Sequence, residues 1–103
     1  MNDEKLNIIK STLNDIFPQC VILLFGSRAR GDHNASSDYD LVIIVEEEMD
    51  ITQKWNYQAQ IRKILAKNNL PVDIIIQSDA EYKLNKARSG HIIRYASQEG
   101  VLI

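Results

Sequence analysis

The sequence predicts a small α/β (α+β) domain in which helices flank a mixed β-sheet. Segments with helical spacing of apolar residues alternate with short apolar runs of strand length, and capping residues, proline or glycine mark their ends. Their order is helix, strand, strand, helix, strand, helix, strand, which is typical of a mixed sheet. Because 103 residues are enough for one core, we expect residues 1–103 to form a single domain.

The first helix and the first strand precede a glycine. Apolar residues recur at helical spacing over residues 3–17, where Asn2 or Asp3 is the expected cap. The run VILLF over residues 21–25 has the character of a buried strand and ends at Gly26. Both segments are therefore expected to contribute to the core.

A polar loop, a second strand and a second helix follow. Residues 38–45, after the polar residues 32–37, are predicted to form a strand covered on both faces, because the second half of this segment is wholly apolar. The three glutamates at 46–48 could be metal ligands, but we favour a solvated turn, since such charge runs usually precede a helix in solvent. The helix is predicted over residues 51–67, with Trp55 on its apolar side and hence in the core.

The last third of the chain predicts a strand, a helical region and a closing strand. The run VDIII over residues 72–76 is strand-like, and a capping box at residues 78–81 opens a helical region that extends to about Tyr95. Gly90 is a candidate interruption of that region. Residues 101–103 are apolar and follow a glycine, which indicates a short strand at an edge of the sheet.

Acidic residues at strand starts are the first candidates for a functional site. Asp38 and Asp40 are two positions apart, so in a strand their side chains would share a face, where they would repel unless a cation or a shared proton lay between them. Asp73 is the lone polar residue of its strand; it is either an exposed residue at the strand's start or part of this site. If the two strands are neighbours, about 4.8 Å apart, three carboxylates converge at one end of the sheet.

The turn after the first strand is the second candidate. Gly26 permits unusual backbone geometry, and Ser27 offers a hydroxyl and an N–H group at the entry to a helical turn, which is a common setting for phosphate. Arg28 and Arg30 bring positive charge to the same place. The turn and the acids together indicate a metal-nucleotide site.

Composition narrows the functional classes. The formal net charge is -2 with acids and bases interspersed, which argues against nonspecific nucleic-acid binding because that needs a basic surface. The single cysteine, Cys20, has no internal disulfide partner, and the chain begins without a cationic, apolar leader, so we expect a cytoplasmic protein. The longest apolar run is far shorter than a membrane span, which argues against membrane insertion.

At this point the motifs resemble those of a known family. Gly26-Ser27, ten intervening residues and Asp38-Tyr39-Asp40 are similar to the signature of the DNA polymerase beta-like nucleotidyltransferases. The fuller string GSRARG…SDYDLVII, followed by VDIII and a closing EGVLI, resembles the minimal nucleotidyltransferase branch, which pairs with HEPN-domain proteins. The resemblance implies a fold like the palm of polymerase beta.

The resemblance also implies roles for individual residues. Asp38, Asp40 and Asp73 would be the catalytic carboxylates that bind two Mg²⁺ ions, with Asp73 activating the attacking hydroxyl. Gly26 and Ser27 would hold the β- and γ-phosphates of ATP. Arg28 and Arg30 match basic positions of the longer motif; Arg28 is expected to face phosphate, while Arg30 either does so or braces the loop by pairing with an acid.

The leading functional hypothesis is Mg²⁺-dependent transfer of a nucleotidyl group, AMP from ATP, to a hydroxyl of a partner protein. By resemblance, the partner would be a HEPN-type helical toxin, and this chain its antitoxin, acting as a homo- or hetero-oligomer. One alternative is a subunit of a small-molecule nucleotidyltransferase of the aminoglycoside-modifying type. The other is a non-catalytic module that neutralises its partner by binding.

Overall fold

A computed structural model describes the backbone of residues 3–103, and it shows an α/β fold built on one four-stranded sheet. The predicted cap, Asn2 or the Asp3 side chain, lies outside the described part. The elements, in chain order, are α1 (Asp3–Ile16), β1 (Val21–Phe25), α2 (Ser27–Arg30), β2 (Tyr39–Val45), α3 (Ile51–Ala66), β3 (Val72–Ser78), α4 (Asp79–Asn85), α5 (Ile92–Glu99) and β4 (Val101–Leu102).

The sheet is mixed, as the sequence predicts, with strand order β3-β2-β1-β4. Strand β1 is antiparallel to both β2 and β4, and β4 lies at the edge. Strands β2 and β3 are parallel and are connected through α3, because a parallel pair needs a crossover. As a result, the end of β1 and the starts of β2 and β3 lie at the same end of the sheet.

Helices cover both faces of the sheet. On one face, α1 and α3 bury Leu13 and Leu65 against Ile43 and its neighbours. On the other face, α5 buries Ile93 against Val42. The wholly apolar second half of β2 is explained by this arrangement, since alternate side chains of a strand enter opposite faces and both are covered here.

The orientation of α3 differs from the prediction. Trp55 is not a core residue, because 61% of its surface is exposed. The inward side of α3 holds Ile61 and Leu65, and earlier along the helix it holds Lys54 and Gln58. These polar residues tolerate the inward position because each has a partner: Lys54 Nζ lies 2.7 Å from a Glu81 oxygen, and Gln58 Nε2 donates to the Ile74 carbonyl at 3.0 Å.

The helical region near the chain's end is divided, as the sequence suggests. Helix α4 begins at the predicted capping box, in which Ser78 and Glu81 bond reciprocally, and it ends at Asn85. The following turn contains Gly90 at φ +80°, and α5 then extends to Glu99, beyond the predicted end at Tyr95. Among residues 3–103, none of the helices has both the length and the apolar character needed to cross a membrane.

Candidate active site

The predicted acids lie together at one end of the sheet. In the parallel ladder Asp40 is paired with Asp73, which places their Cα atoms on adjacent strands. Asp38 immediately precedes β2, and the alternation of the strand extends to it: Tyr39 is 4% exposed, whereas Asp38 is exposed and Asp40 is half-buried. The condition under which the sequence places three carboxylates at one end of the sheet, that β3 neighbours β2, is therefore met.

The acids interact electrostatically. Burial raises the pKa of Asp40 above its ordinary value, and the nearby charges of Asp73 and Asp38 raise it further. Opposing this, the positive charge of Arg30 lowers the pKa. The ionised form of Asp40 is thus held at an energetic cost that a cation at this position would offset.

The donor chemistry of this cluster fits Mg²⁺ together with a phosphate ligand. Carboxylate oxygens are suitable ligands for this hard cation, which is commonly held by one or two carboxylates plus substrate phosphates and water. Within residues 3–103, no three His, Cys, Asp or Glu side chains are grouped so that they could hold a metal ion by themselves. A metal bound at these acids would therefore need oxygen atoms from a substrate.

The glycine-serine turn packs directly against the acids. Gly26 follows β1 with φ +73°, a conformation that side chains disfavour. A Cβ atom at this position would overlap the carboxylate of Asp40. A side chain at this position would therefore displace the Asp40 carboxylate, and the predicted phosphate-binding turn lies in van der Waals contact with a predicted metal ligand.

A single helical turn follows Gly26. The Gly26 carbonyl accepts hydrogen bonds from the N–H groups of Ala29 and Arg30, at 3.1 and 3.0 Å, and α2 closes at Gly31. Ser27 is the first residue of this turn, and the N–H groups of a helix's first residues have no intrahelical acceptor. The sequence-based expectation of a glycine-serine turn entering a helical turn is confirmed.

Arg28 contacts the polar loop between the two halves of the site. Its Nε and Nη2 donate to the Ser37 carbonyl at 3.2 and 3.0 Å, and its guanidinium lies 4.3 Å from the centre of the Tyr39 ring. A third contact reaches the Ala35 carbonyl. The structure thus places Arg28 as a brace of the loop that leads into β2.

Arg30 pairs with acids, which is one of its two predicted roles. Its Nε lies 3.2 Å from Asp32, and its Nη1 lies 3.3 Å from each oxygen of Glu99. The same Nη1 also donates to the Tyr95 hydroxyl at 3.0 Å. Hydrogen bonds to Asp32 and Glu99 raise the pKa of Arg30, so its charge is permanent.

Glu99 is a residue of this site that the sequence analysis did not identify. Its Oε1 accepts a hydrogen bond from the Gly26 N–H at 2.7 Å, across 73 residues of sequence. Burial alone would raise the pKa of Glu99, but hydrogen bonds from Tyr95, Gly26 and Arg30 hold it below its ordinary value. The sequence signal was its place as the first residue of the closing EGVLI string, which carried the family resemblance without a role for the glutamate.

Arg62 was also missed. Its Nη2 lies 3.6 Å from an oxygen of Asp73, and both side chains are largely exposed. Arg62 extends from α3, so the crossover helix contributes a cation to the acid cluster. His33 is exposed in the polar loop.

The chain matches the family described as "Polymerase beta, Nucleotidyltransferase" over residues 7–99. A protein from Haemophilus influenzae named "Probable protein adenylyltransferase MntA" is 31% identical over 77 residues, which cover 73% of this chain but only 64% of that protein. The chain thus spans less than two thirds of that relative. A Methanocaldococcus jannaschii protein, provisionally assigned as a protein adenylyltransferase, is 30% identical over 97% of this chain and 96% of its own length.

The fold is similar to that of solved nucleotidyltransferase structures. One chain of the tri-AMPylated Shewanella oneidensis HEPN toxin in complex with MNT antitoxin superposes with a TM-score of 0.60. The match covers 99% of this chain and 71% of that chain, at 20% identity. At 20% identity, this similarity shows that the two chains share a fold. The residues of the site are therefore assigned from the geometry described above.

Proposed function

This chain belongs to the polymerase beta nucleotidyltransferase family, and from that premise we propose that it transfers AMP from ATP to a hydroxyl group of a partner protein in a Mg²⁺-dependent reaction. The observation that carries the proposal is the contact between Gly26 and Asp40. A turn suited to phosphate and a carboxylate suited to a metal share one surface, as nucleotidyl transfer requires.

We assign the acids to metal binding and proton transfer. Asp38, Asp40 and Asp73 would hold two Mg²⁺ ions, which supply charge stabilisation to the attacking and leaving oxygens. The acceptor oxygen forms a bond to the α-phosphorus, the bond to pyrophosphate breaks, and the acceptor's proton passes to Asp73. Asp73 suits this role because its side chain is exposed beside Asp40 and is open to an incoming hydroxyl.

We assign the turn to the nucleotide's phosphates. The N–H groups of Ser27 and Arg28 open α2, and the Ser27 hydroxyl adds a further donor. Gly26 contributes its conformation and its lack of a side chain rather than a free N–H, since that N–H already donates to Glu99. Arg28 and Arg30 stay in this assignment as positive charges beside the phosphates.

We propose that the acceptor belongs to a HEPN-type helical partner and that the chain acts in the cytoplasm as its antitoxin. Support comes from the relatives: one is named a protein adenylyltransferase, and a structural neighbour contains a tri-AMPylated HEPN toxin with its MNT antitoxin. The single cysteine, Cys20, suits a reducing compartment. Residues 1–103 act as one catalytic domain in this proposal.

The test is intact-mass measurement of this chain and of the protein encoded beside it, after incubation with Mg²⁺ and each nucleoside triphosphate. We expect the wild type to add the mass of AMP to the neighbour when ATP is supplied. The double variant Asp38→Asn/Asp40→Asn is expected to add none. The matched control is Glu46→Gln/Glu47→Gln, which removes the same charge from exposed positions outside the site and should leave transfer intact.

The outcomes separate the alternatives. A stable complex without any added mass would contradict the enzymatic proposal and favour a non-catalytic binding module. ATP consumption that requires a small hydroxyl compound instead of the neighbour would favour the small-molecule enzyme. Loss of transfer in the Glu46→Gln/Glu47→Gln control would move the metal site to the glutamate turn.

A further inference from the structure

We propose that Glu99 is a positioning residue, which holds the Gly26-Ser27 turn in the conformation that receives the phosphates of the nucleotide. The inference rests on the proposed function and deepens it. It gives the last helix of the fold a role in nucleotide affinity. This role is separate from those proposed for the glycine-serine turn and the acids. Glu99 acts through the backbone of the turn and touches neither phosphate nor metal.

The first observation is the hydrogen bond from the Gly26 N–H to Glu99 Oε1, at 2.7 Å. A hydrogen bond to a carboxylate is shorter and stronger than one between neutral groups. Gly26 has a positive φ, and glycine loses more conformational freedom than other residues when it is fixed. This bond is therefore placed where it can select one backbone conformation from several that glycine permits.

The second observation is that the same carboxylate also reaches the far end of α2. Both oxygens of Glu99 lie 3.3 Å from Nη1 of Arg30, the last residue of that helical turn. The same Arg30 Nη1 also donates to the Tyr95 hydroxyl at 3.0 Å, which ties the end of α2 to α5 a second time. The Glu99 side chain thus bonds both to Gly26, which precedes α2, and to Arg30, which is the last residue of α2. The helical turn is therefore held at both ends.

The third observation is that Glu99 is itself held firmly. Helix α5 is anchored by Ile93 and Ala96, both fully buried against the sheet. Directly after Glu99, a Cβ atom on Gly100 would overlap the Ala96 carbonyl and the Leu23 side chain, so the end of α5 lies flush against β1. Functional groups hold their geometry best when rigid elements support them, and α5 meets this condition.

Electrostatics and positioning predict opposite results when the charge of Glu99 is removed. The carboxylate is negative and lies beside a site proposed for negative phosphates, so its charge alone opposes nucleotide binding. Deleting the side chain would then strengthen binding. If Glu99 positions the turn, the same deletion weakens binding, because the turn gains alternative conformations that must be lost again when phosphate binds.

The experiment compares Glu99→Ala and Glu99→Gln with the wild type and with a matched control. The control is Glu81→Ala: Glu81 also accepts a backbone N–H bond, from Ser78 at 2.8 Å, and pairs with a cation, Lys54, but it lies in the α3–α4 contact away from the turn. The readouts are calorimetric affinity for an ATP analogue with Mg²⁺, KM and kcat for transfer, and the Gly26 amide signal in an NMR correlation spectrum.

We expect Glu99→Ala to weaken nucleotide binding about 10-fold, a size typical of residues that orient a site indirectly, with the change chiefly in KM. Glu99→Gln keeps an oxygen acceptor for the Gly26 N–H, so it should recover most of the affinity. The Gly26 amide signal should shift strongly in the alanine variant and weakly in the glutamine variant. Glu81→Ala should lower thermal stability and leave affinity and the Gly26 signal unchanged.

Unchanged or stronger nucleotide binding by a folded Glu99→Ala variant would overturn the inference. Equal weakening by Glu81→Ala would also overturn it, because the effect would then follow general stability. If the wild type itself binds no nucleotide with Mg²⁺, the proposed function fails instead, and the two failures are thereby distinguishable.

Discussion

The same carboxylate group behaves differently at different positions of this fold because its neighbours differ. Asp40 is partly buried and lies near two like charges, so its pKa is raised. For Glu81, burial acts in the raising direction, but Lys54 and the hydrogen bonds from Ser78 outweigh it, so its pKa is lowered. At neutral pH, the charge of Glu81 stabilises the fold, whereas the charge of Asp40 is retained despite its unfavourable surroundings, as is common at functional sites.

The Glu81 ion pair should be visible in the pH dependence of stability. Since the folded-state pKa lies below the ordinary value of 4.5, the stabilisation is fully present above that pH and is lost as pH falls through the folded-state pKa. We expect Glu81→Gln to cost about 0.5–1 kcal/mol of unfolding free energy at pH 7. Urea unfolding of both proteins between pH 3 and pH 7 should show this difference shrinking towards acid pH; a difference independent of pH would contradict the assignment.

At the scale of elements, α3 shows how tertiary contacts determine which side of a helix is buried. Its apolar residues suggested an inward Trp55, yet the inward side begins with Lys54 and Gln58. The reason is that both polar groups have partners on neighbouring elements. Tyr57 of the same helix packs its ring against that of Phe17, with the ring centroids 4.7 Å apart. Periodicity located the helix correctly and misplaced the first half of its buried face.

Substitutions on α3 should separate the two sides. Leu65 is fully buried, so Leu65→Ala is expected to cost about 2–5 kcal/mol of unfolding free energy through lost burial and a residual cavity. Trp55 is largely exposed, so Trp55→Ala should change stability by no more than about 0.5 kcal/mol. Chemical denaturation followed by far-UV circular dichroism measures both, and a large loss for Trp55→Ala would place that ring in the core after all.

For the molecule as a whole, the sheet separates two core clusters with different consequences for the site. The cluster under α1 and α3 includes Leu13, whereas the cluster under α5 includes Ile93. Only the second cluster supports the helix that carries Glu99. Support of α5, and through it of Glu99, therefore comes from the second cluster, whereas Ala29 of α2 packs against the first.

A pair of core truncations tests this asymmetry. Leu13 and Ile93 are both fully buried, so Leu13→Ala and Ile93→Ala should each lower the unfolding free energy by about 2–5 kcal/mol. Among the folded molecules, Ile93→Ala should bind a Mg²⁺-ATP analogue more weakly, since α5 loses its anchor, while Leu13→Ala should bind as the wild type does. Calorimetry below the unfolding temperature of both variants provides the comparison, and equal affinities would show that α5 does not need this anchor.

The sequence by itself determined the features that depend on residues close to one another along the chain. The helix and strand positions, the capping box at Ser78, the break at Gly90 and the spacing from Gly26-Ser27 to Asp38 all follow from local preferences and short patterns. The edge position of the closing strand was also predicted. The limits of α5 and the buried side of α3 were not, because packing against distant elements decides them.

Only the tertiary structure decided which distant residues meet. The parallel pairing of β2 with β3 sets Asp73 beside Asp40, and the return of α5 to the end of β1 brings Glu99 to Gly26 across 73 residues. No local preference encodes such contacts, since they depend on the free energy of burying both faces of the sheet at once. The sequence motif identified the turn and the acids. Only the packing of the chain shows that Glu99 holds the turn in place.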